Sequence, residues 1–378
     1  MKILLCSNAF KGTLSALEAN EAIRNGLAFL SDAIFESLPL ADGGDGTLEC
    51  LLETGDYEKV VGLYTGIDIH KKEKSYYLVD KEGRAYIAIY PTSGLGKTRE
   101  RIPEERSTLG FGEQIKDALD RGTRDFVLFL GGSSTIDLGC GMLIALGARF
   151  KDGDGQTFVP SGLTMERVEA IDLSGLDPRL ASCRFVLCHD VFSPLSGRKG
   201  AVFLFSGQKG TKKEDMPRLE KAVTRLAAME ESLLKRKARD IPGAGAAGGV
   251  GFAALLFLSA TPVSGAERIL KALRLEERLT KDSLLVTGEG KIDTSSLEGK
   301  SLFFLSRLCK RKGVPFLTVS GSIDRRCKER LSRLGGRLFA VSGKPAGNKA
   351  DNQDKIIGAL EKEKERILSL TQEVMRHG

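Results

Sequence analysis

The 378-residue chain has no tryptophan, three histidines, eleven prolines and seven cysteines. Each shortage removes a class of function. With aromatics at 6%, there is little from which to build a stacking platform for single-stranded nucleic acid or glycans. His70, His189 and His377 are too few for a multi-histidine metal centre. The cysteines (Cys6, Cys50, Cys140, Cys183, Cys188, Cys309, Cys327) are odd in number, scattered and without a CxxC pair. That pattern indicates neither a disulfide framework nor a zinc site, and it points to a reducing cytoplasm. The longest apolar stretch, 248–260, is glycine-laced and shorter than the roughly 18 residues of a membrane span, so it reads as a buried helix. The run 3–6 is too short for a signal peptide.

Charge of one sign is also scarce. Lys and Arg number 57 against 50 Asp and Glu, leaving +7, which suits an anionic small molecule at least as well as nucleic acid. The basic run between Arg307 and Arg337 reads first as a solvated face. No membrane and no nucleic-acid partner is expected.

Glycine, by contrast, is abundant at 44 residues, and with proline scarce it is not the low-complexity kind. Length alone favours two domains. Strand-like runs at 2–6, 126–130, 284–287, 316–320 and 338–342 each lead into a polar or glycine loop, which is βα grammar and implies a parallel sheet with ligands outside the strand C-termini. Helical periodicity covers 14–30, with Ser15 and Glu18 at capping-box spacing, and also 217–238 and 355–374. Between 57 and 90 the pattern becomes alternating, with a hairpin turn at Lys81-Glu82-Gly83. The expected fold is therefore α/β in two domains: a discontinuous flavodoxin/Rossmann-like parallel-sheet domain of 1–62 and 277–378, and an inserted mixed α/β domain of 63–276.

Ser93-Gly94-Leu95-Gly96-Lys97-Thr98 imitates the end of a P-loop. It fails because Pro91 stands where the leading glycine belongs and 99–103 do not open an apolar helix. Two other loops offer backbone donors for phosphate: Gly131, Gly132, Ser133 and Ser134 after a strand, and Gly243, Gly245, Gly248 and Gly249 at the start of an apolar helix. Close packing of small residues is the competing reading for the second. Acids stand beside glycines in Asp42-Gly43-Gly44-Asp45-Gly46-Thr47, His189-Asp190 and Gly288-Glu289-Gly290-Lys291-Ile292-Asp293. Such loops suit Mg²⁺ on a nucleotide, which takes one or two protein carboxylates, although any single Asp also serves as a turn or cap residue. Lys11 and Lys291 follow strands, where a point charge neutralises phosphate or carboxylate oxygens.

In order and over nearly the whole chain, these segments resemble the type I glycerate kinase family. The resemblance rests on Phe10-Lys11-Gly12-Thr13-Leu14-Ser15-Ala16, Pro39-Leu40-Ala41-Asp42-Gly43-Gly44-Asp45-Gly46-Thr47, Gly139-Cys140-Gly141-Met142, Gly207-Gln208-Lys209-Gly210, the segment 242–249 and Thr287-Gly288-Glu289-Gly290-Lys291-Ile292-Asp293. It implies ATP-dependent phosphorylation of D-glycerate at the 2-hydroxyl, in organic-acid or glyoxylate metabolism, by a cytoplasmic two-domain enzyme; a homodimer stays open. Four loops depart from the family pattern: Asn8 replaces an Asp, Ala88-Ile89-Tyr90 replaces Glu-Met-Ala, Ile136 and Leu138 interrupt Thr-Asn-Asp-Gly-Gly, and Ser193 replaces an Asn. A kinase for another small hydroxy acid and a catalytically weak nucleotide-binding paralogue therefore remain as alternatives.

On this reading Asp190 is the base, with His189 as the alternative, and Lys11, Lys291 and Asp293 are its catalytic partners. Asp42, Asp45, Gly46 and Thr47 bind substrate. The glycine loops and Glu289 hold ATP, and Asp42, Asp190 and Asp293 are the candidate ligands of Mg²⁺.

Overall fold

The structure, a computed structural model, describes residues 1–53, 55–97 and 105–377. The chain divides into two compact units, one of Met1–Asp42, Glu49–Gly55 and Ser264–Gly378, the other of Gly43–Leu48 and Asp56–Val263.

The first unit starts with β1 (Lys2–Ser7), α1 (Ala16–Gly26) and β2 (Ile34–Ser37). Ser15 and Glu18 form the expected capping box at the start of α1. β1 is buried along nearly its whole length, as a parallel strand covered on both faces must be.

In the second unit, β3 (Tyr57–Thr65), β4 (Lys72–Asp80) and β5 (Ala85–Ala88) are antiparallel neighbours, and β4 turns into β5 through Gly83 at φ +76°. Next come α2 (Leu109–Asp120), β6 (Asp125–Phe129) and α3 (Cys140–Ala145). The short strands β7 (Arg149–Lys151), β8 (Thr157–Phe158) and β9 (Ala170–Asp172) make a separate antiparallel sheet. The unit closes with β10 (Arg184–His189), α4 (Met216–Leu234), α5 (Val250–Phe257) and β11 (Thr261–Ser264). Its main sheet has the order β11-β10-β6-β5-β4-β3, with β10, β6 and β5 parallel. The apolar run 248–260 becomes α5, whose first seven residues are buried.

The chain returns to the first unit as β12 (Ser283–Ile292), α6 (Ser301–Lys312), β13 (Phe316–Ile323), α7 (Arg325–Arg333), β14 (Gly336–Val341), α8 (Lys349–Lys362) and α9 (Lys364–His377). Four strands place Ile3, Leu5, Leu284, Val286, Leu317, Val319, Leu338 and Ala340 in one core with Ile23 of α1 and Leu360 of α8. The sheet is parallel throughout, in the order β14-β13-β12-β1-β2. Numbered within this unit alone, that is the flavodoxin-like order 5-4-3-1-2.

The unit boundaries differ from the expected 1–62, 63–276 and 277–378. Residues 43–48 and 56–62 lie with the second unit, the latter because β3 pairs with β4 from Tyr57 to Thr65, and 264–276 lie with the first. The expected helix 355–374 is two helices, broken at Glu363. Of the P-loop imitation, 90–93 is a short helix and 95–97 a 3₁₀ turn, so the described residues there show no phosphate loop between a strand and a helix. Its Thr98 and the following 99–103 lie outside the described residues. No helix among the described residues is long and apolar enough to cross a membrane.

One buried carboxylate ties the middle of the second unit together. Asp137 accepts from the Thr108 amide (2.7 Å) and hydroxyl (2.8 Å) at the start of α2, and from the amides of Gly139 and Gly141 (3.2 Å each) at the start of α3. Burial raises its pKa even against these donors. Replacing Asp137 with Ala leaves those buried donors without an acceptor at ~1–3 kcal/mol each. Denaturant unfolding of Asp137→Ala should show a loss of about 3 kcal/mol or more, and Asp137→Asn, which keeps an acceptor, a smaller one.

Candidate active site

In the first unit the winding direction reverses between β1 and β12, and in open α/β sheets the crevice at that switch point receives ligands beyond the strand C-termini. β12 outruns β1: their register ends at Ser7 opposite Gly288, while β12 continues beside β13 to Ile292. The overhang carries Glu289, Lys291 and Asp293 past the end of β1. There they line a cavity of about 420 Å³ with Asn8, Lys11, Asp42 and Lys300.

The acids of this cavity are held by helix starts. Asp42 accepts from the amide (3.3 Å) and the hydroxyl of Ser301, the first residue of α6, and that hydroxyl also lies 3.4 Å from Asn8 Oδ1. Asp293 caps a short 3₁₀ turn, accepting from the Ser295 amide (3.0 Å) and hydroxyl (2.7 Å), with Lys291 Nζ at 3.4 Å. The Ser295 hydrogen bonds, then Lys291, hold Asp293 below the usual carboxylate range. Lys300 Nζ donates to Ser295 Oγ (2.9 Å). Lys11 is exposed and has no partner among the described residues.

Glu289 stands apart. Its Oε1 is buried without a hydrogen-bond partner. Burial pushes its carboxyl up to about 7, the charges of Asp42 and Asp293 act in the same direction, and Ser296 and Lys300 act against it. An orphaned carboxylate oxygen beside two further acids fits a hard divalent cation. No group of three or more His, Cys, Asp or Glu among the described residues is disposed to hold a metal by itself. That matches Mg²⁺ held by one or two carboxylates and completed by phosphate oxygens and water. Asp190, the third expected ligand, belongs to the second unit.

The second unit has its own cavity, of about 170 Å³, lined by Gly131, Gly132 and Ser133 after β6, His189 and Asp190 at the end of β10, Lys209, and Ala246 and Ala247. The glycines of the first loop answer to packing. A Cβ on Gly131 would lie 2.5 Å from Gly44 Cα, and the Gly131 amide donates to Gly43 O (3.0 Å). A Cβ on Gly132 would collide with the Asp45 carboxylate. Both donors of Ser134 go to Ser93 O (2.8 Å each), which leaves Gly132 and Ser133 facing the cavity.

The other glycine loop is narrower as an anion cradle than its sequence suggests. The amides of Gly243 and Gly245 donate to Ser193 O, that of Ala244 to Ile241 O and that of Ala246 to Gly243 O. Ala247, Gly248 and Gly249 form a left-handed turn (φ +53°, +66°, +98°), and Ala247 in that conformation is strained. Asp45, Gly46 and Thr47, expected to bind substrate, line neither cavity. The Thr47 hydroxyl is buried and donates to Gly44 O (2.6 Å), and Gly46 supplies a turn at φ +82°.

Burial lowers the pKa of His189 and so favours the neutral imidazole. Asp190 beside it is half-buried and lines the cavity. Two groups were given no role from sequence. Lys300 stands in Gly299-Lys300-Ser301, which fails as a P-loop because Thr294 occupies the leading glycine position, and Lys209 entered only as part of the Gly207-Gln208-Lys209-Gly210 resemblance. Lys209 follows a π-helical turn, Val202–Ser206, of a kind often found at functional sites. It is 3% exposed, and its Nζ donates to Ser133 Oγ (2.9 Å) and Thr135 O (2.8 Å). Burial pulls its ammonium down to about 7, against the charge of Asp137. A lysine among Gly, Gln and Ser carries no hydropathy sign of burial.

Of the four departures from the family pattern, Asn8 lines the first unit's cavity, and Tyr90, Ile136 and Ser193 line neither of the two described. Ile136 is buried in the core, Ser193 serves through its carbonyl, and the Tyr90 hydroxyl accepts from the Leu48 amide (3.3 Å).

The model of the glycerate kinase family matches residues 3–372. The chain is similar to a glycerate kinase of Bacillus subtilis (36% identity over 86% of each chain) and to a glycerate 2-kinase of Escherichia coli (35%, over 85% of this chain and 86% of the other). A crystal structure of a candidate glycerate kinase 2 from Salmonella typhimurium LT2 superposes with a TM-score of 0.83 at 33% identity, covering 98% of both chains. With the fold, the two cavities and these similarities in agreement, the chain belongs to the glycerate kinase family.

Proposed function

We propose that the protein is an ATP-dependent D-glycerate kinase that phosphorylates the 2-hydroxyl. Family membership makes it a phosphotransferase with an alcohol acceptor and ATP as donor. The 2-hydroxyl is supported by the E. coli relative, a glycerate 2-kinase. The observation that carries the reading is the switch-point cavity, where Lys11, Lys291 and Lys300 share one space with Asp42, Glu289 and Asp293. Lysines for phosphate oxygens and carboxylates for a divalent cation are the paired requirements of phosphoryl transfer.

In this reading the first unit's cavity receives the ATP phosphates. Mg²⁺, held by Asp42 and Glu289 or Asp293, supplies neutralisation of the phosphate charge when bound. Lys11, without a partner among the described residues, meets the transferred group, and Lys291 is oriented by its pair with Asp293. The second unit's smaller cavity suits the acceptor, since pockets for drug-sized ligands run to ~300–1,000 Å³ and this one is about 170 Å³. Asp190 accepts the proton of the acceptor hydroxyl, and Gly132 and Ser133 contribute polar contacts. With Tyr90, Ile136 and Ser193 lining neither cavity, D-glycerate is favoured over a different hydroxy acid. The seven cysteines, all free, suit a reducing compartment such as the cytoplasm.

Pure protein supplied with ATP, Mg²⁺ and D-glycerate should release ADP in step with 2-phosphoglycerate; absence of turnover by folded protein overturns the reading. Asp190→Asn should lower kcat by ~10²–10⁴-fold, the usual contribution of a general base, with ATP binding by calorimetry unchanged. Glu289 adds a pH signature. With its pKa raised from 4.5 to about 7 in the folded state, that state holds more protons than the unfolded one between those values. Its contribution to stability is therefore present below pH ~4.5 and lost as pH rises through about 7. Thermal unfolding of Glu289→Gln across pH 4–8 should lack that decline.

A further inference from the structure

Lys209 is a buried ammonium with two neutral partners, the Ser133 hydroxyl and the Thr135 carbonyl. Among the described residues no carboxylate lies within ion-pair distance of it. Yet its side chain lines a small cavity, and a lysine has three donors, of which two are spent here. A charge taken out of water without a counter-ion is costly, and an anion entering the cavity supplies what the fold omits. The titratable and charged groups around it are Asp137, which favours its charged form, and His189 and Asp190, which line the same cavity. His189 is biased towards the neutral form by burial, so Lys209 is the principal cation available to an anion there.

We propose that Lys209 is the counter-ion for the carboxylate of the acceptor, and that the second unit's cavity selects hydroxy acids over neutral polyols through it. This rests on the reading of that cavity as the acceptor site. The cavity's volume favours a small carboxylate over a nucleotide, and Asp190 on its wall leaves the acceptor's hydroxyl end a proton acceptor while Lys209 takes its acid end. The assignment differs from the sequence expectation, in which Lys11 and Lys291 neutralised the substrate carboxylate and the glycine loops of this unit took phosphates.

A carboxylate beside Lys209 restores the ammonium form, so binding takes up a proton above neutral pH, where the free group is largely unprotonated. Affinity should then weaken as pH rises from 7 to 9. Calorimetric titration of the full chain with D-glycerate at pH 8, in two buffers of different ionisation enthalpy, should show this uptake. Lys209→Met should abolish it, weaken D-glycerate binding tenfold or more, leave ATP binding unchanged, and erase the preference for D-glycerate over its uncharged amide. Four results would overturn the assignment: no proton uptake by the unsubstituted protein, D-glycerate affinity within twofold in Lys209→Met, loss confined to ATP, or equal losses for the acid and the amide. The uptake measurement stands even if the variant does not fold. Because binding is read without turnover, a protein that takes up D-glycerate and a proton but releases no ADP retains the Lys209 assignment and loses the kinase reading.

Discussion

Desolvation of one ionisable group at each cavity is the constraint on which each unit's site depends. In the first unit it is an acid, Glu289; in the second a base, Lys209. Burial drives both to about 7, from opposite directions. Neither is neutralised by a direct ion pair among the described residues, and each lines a cavity where an opposite charge can enter. The loops holding them are tied by hydrogen bonds: Asp42 and Asp293 accept from the starts of helical turns, and the Ser133–Thr135 segment lies just before Asp137, which ties the starts of α2 and α3. A soft loop would hydrate the group and dissipate the shift, so the cost of burial is sustained by the surrounding hydrogen bonds.

The departures from the family pattern show how packing absorbs change without reaching the chemistry. Leu138 occupies a left-handed position (φ +54°) where the family pattern has glycine. Such a backbone costs roughly 1–2 kcal/mol for a residue with a Cβ. Leu138 is fully buried in the core, and burying a Leu side chain contributes about 1.5–3 kcal/mol, enough to offset the strain. Ile136 beside it is buried in the same core. These two changes exchange polarity and backbone freedom for apolar contact. Asn8 is different, because it removes a charge from the wall of the cavity that holds Glu289. With Asp42 and Asp293 still present, the loss of a third nearby negative charge leaves Glu289 less strongly raised than an Asp at this position would make it.

Strands followed by glycine loops were legible because parallel strands are continuous apolar runs and their ends must turn sharply. The acids beside those glycines were legible as a class. Their individual jobs were not: Asp42 and Asp293 cap helical turns and line a cavity at once, while Asp45 and Thr47, in the same run as Asp42, line neither cavity. The glycines of 243–249 read equally as anion cradle or close packing, and the amides of 243–246 take the second role. Sequence periodicity records which face is apolar, but not whether a given lysine is swallowed by its neighbours. Lys209 is buried by partners 74 and 76 residues away, a tertiary fact with no local signature.

The opposite signs of the two buried groups have a joint consequence. Glu289 contributes stability at low pH that is gone above about 7, whereas Lys209, with its pKa lowered from 10.5, contributes stability at high pH that is lost as pH falls through about 7. Near neutrality the ligand-free chain therefore has little from either. A divalent cation near Glu289 and an anion near Lys209 each favour the charged form that burial penalises, and each moves its group away from the midpoint. Ligands of opposite charge thus return stability to the two units by the same physical route: the anion is favoured where Lys209 is protonated, the cation where Glu289 is ionised, and the two ranges meet near pH 7.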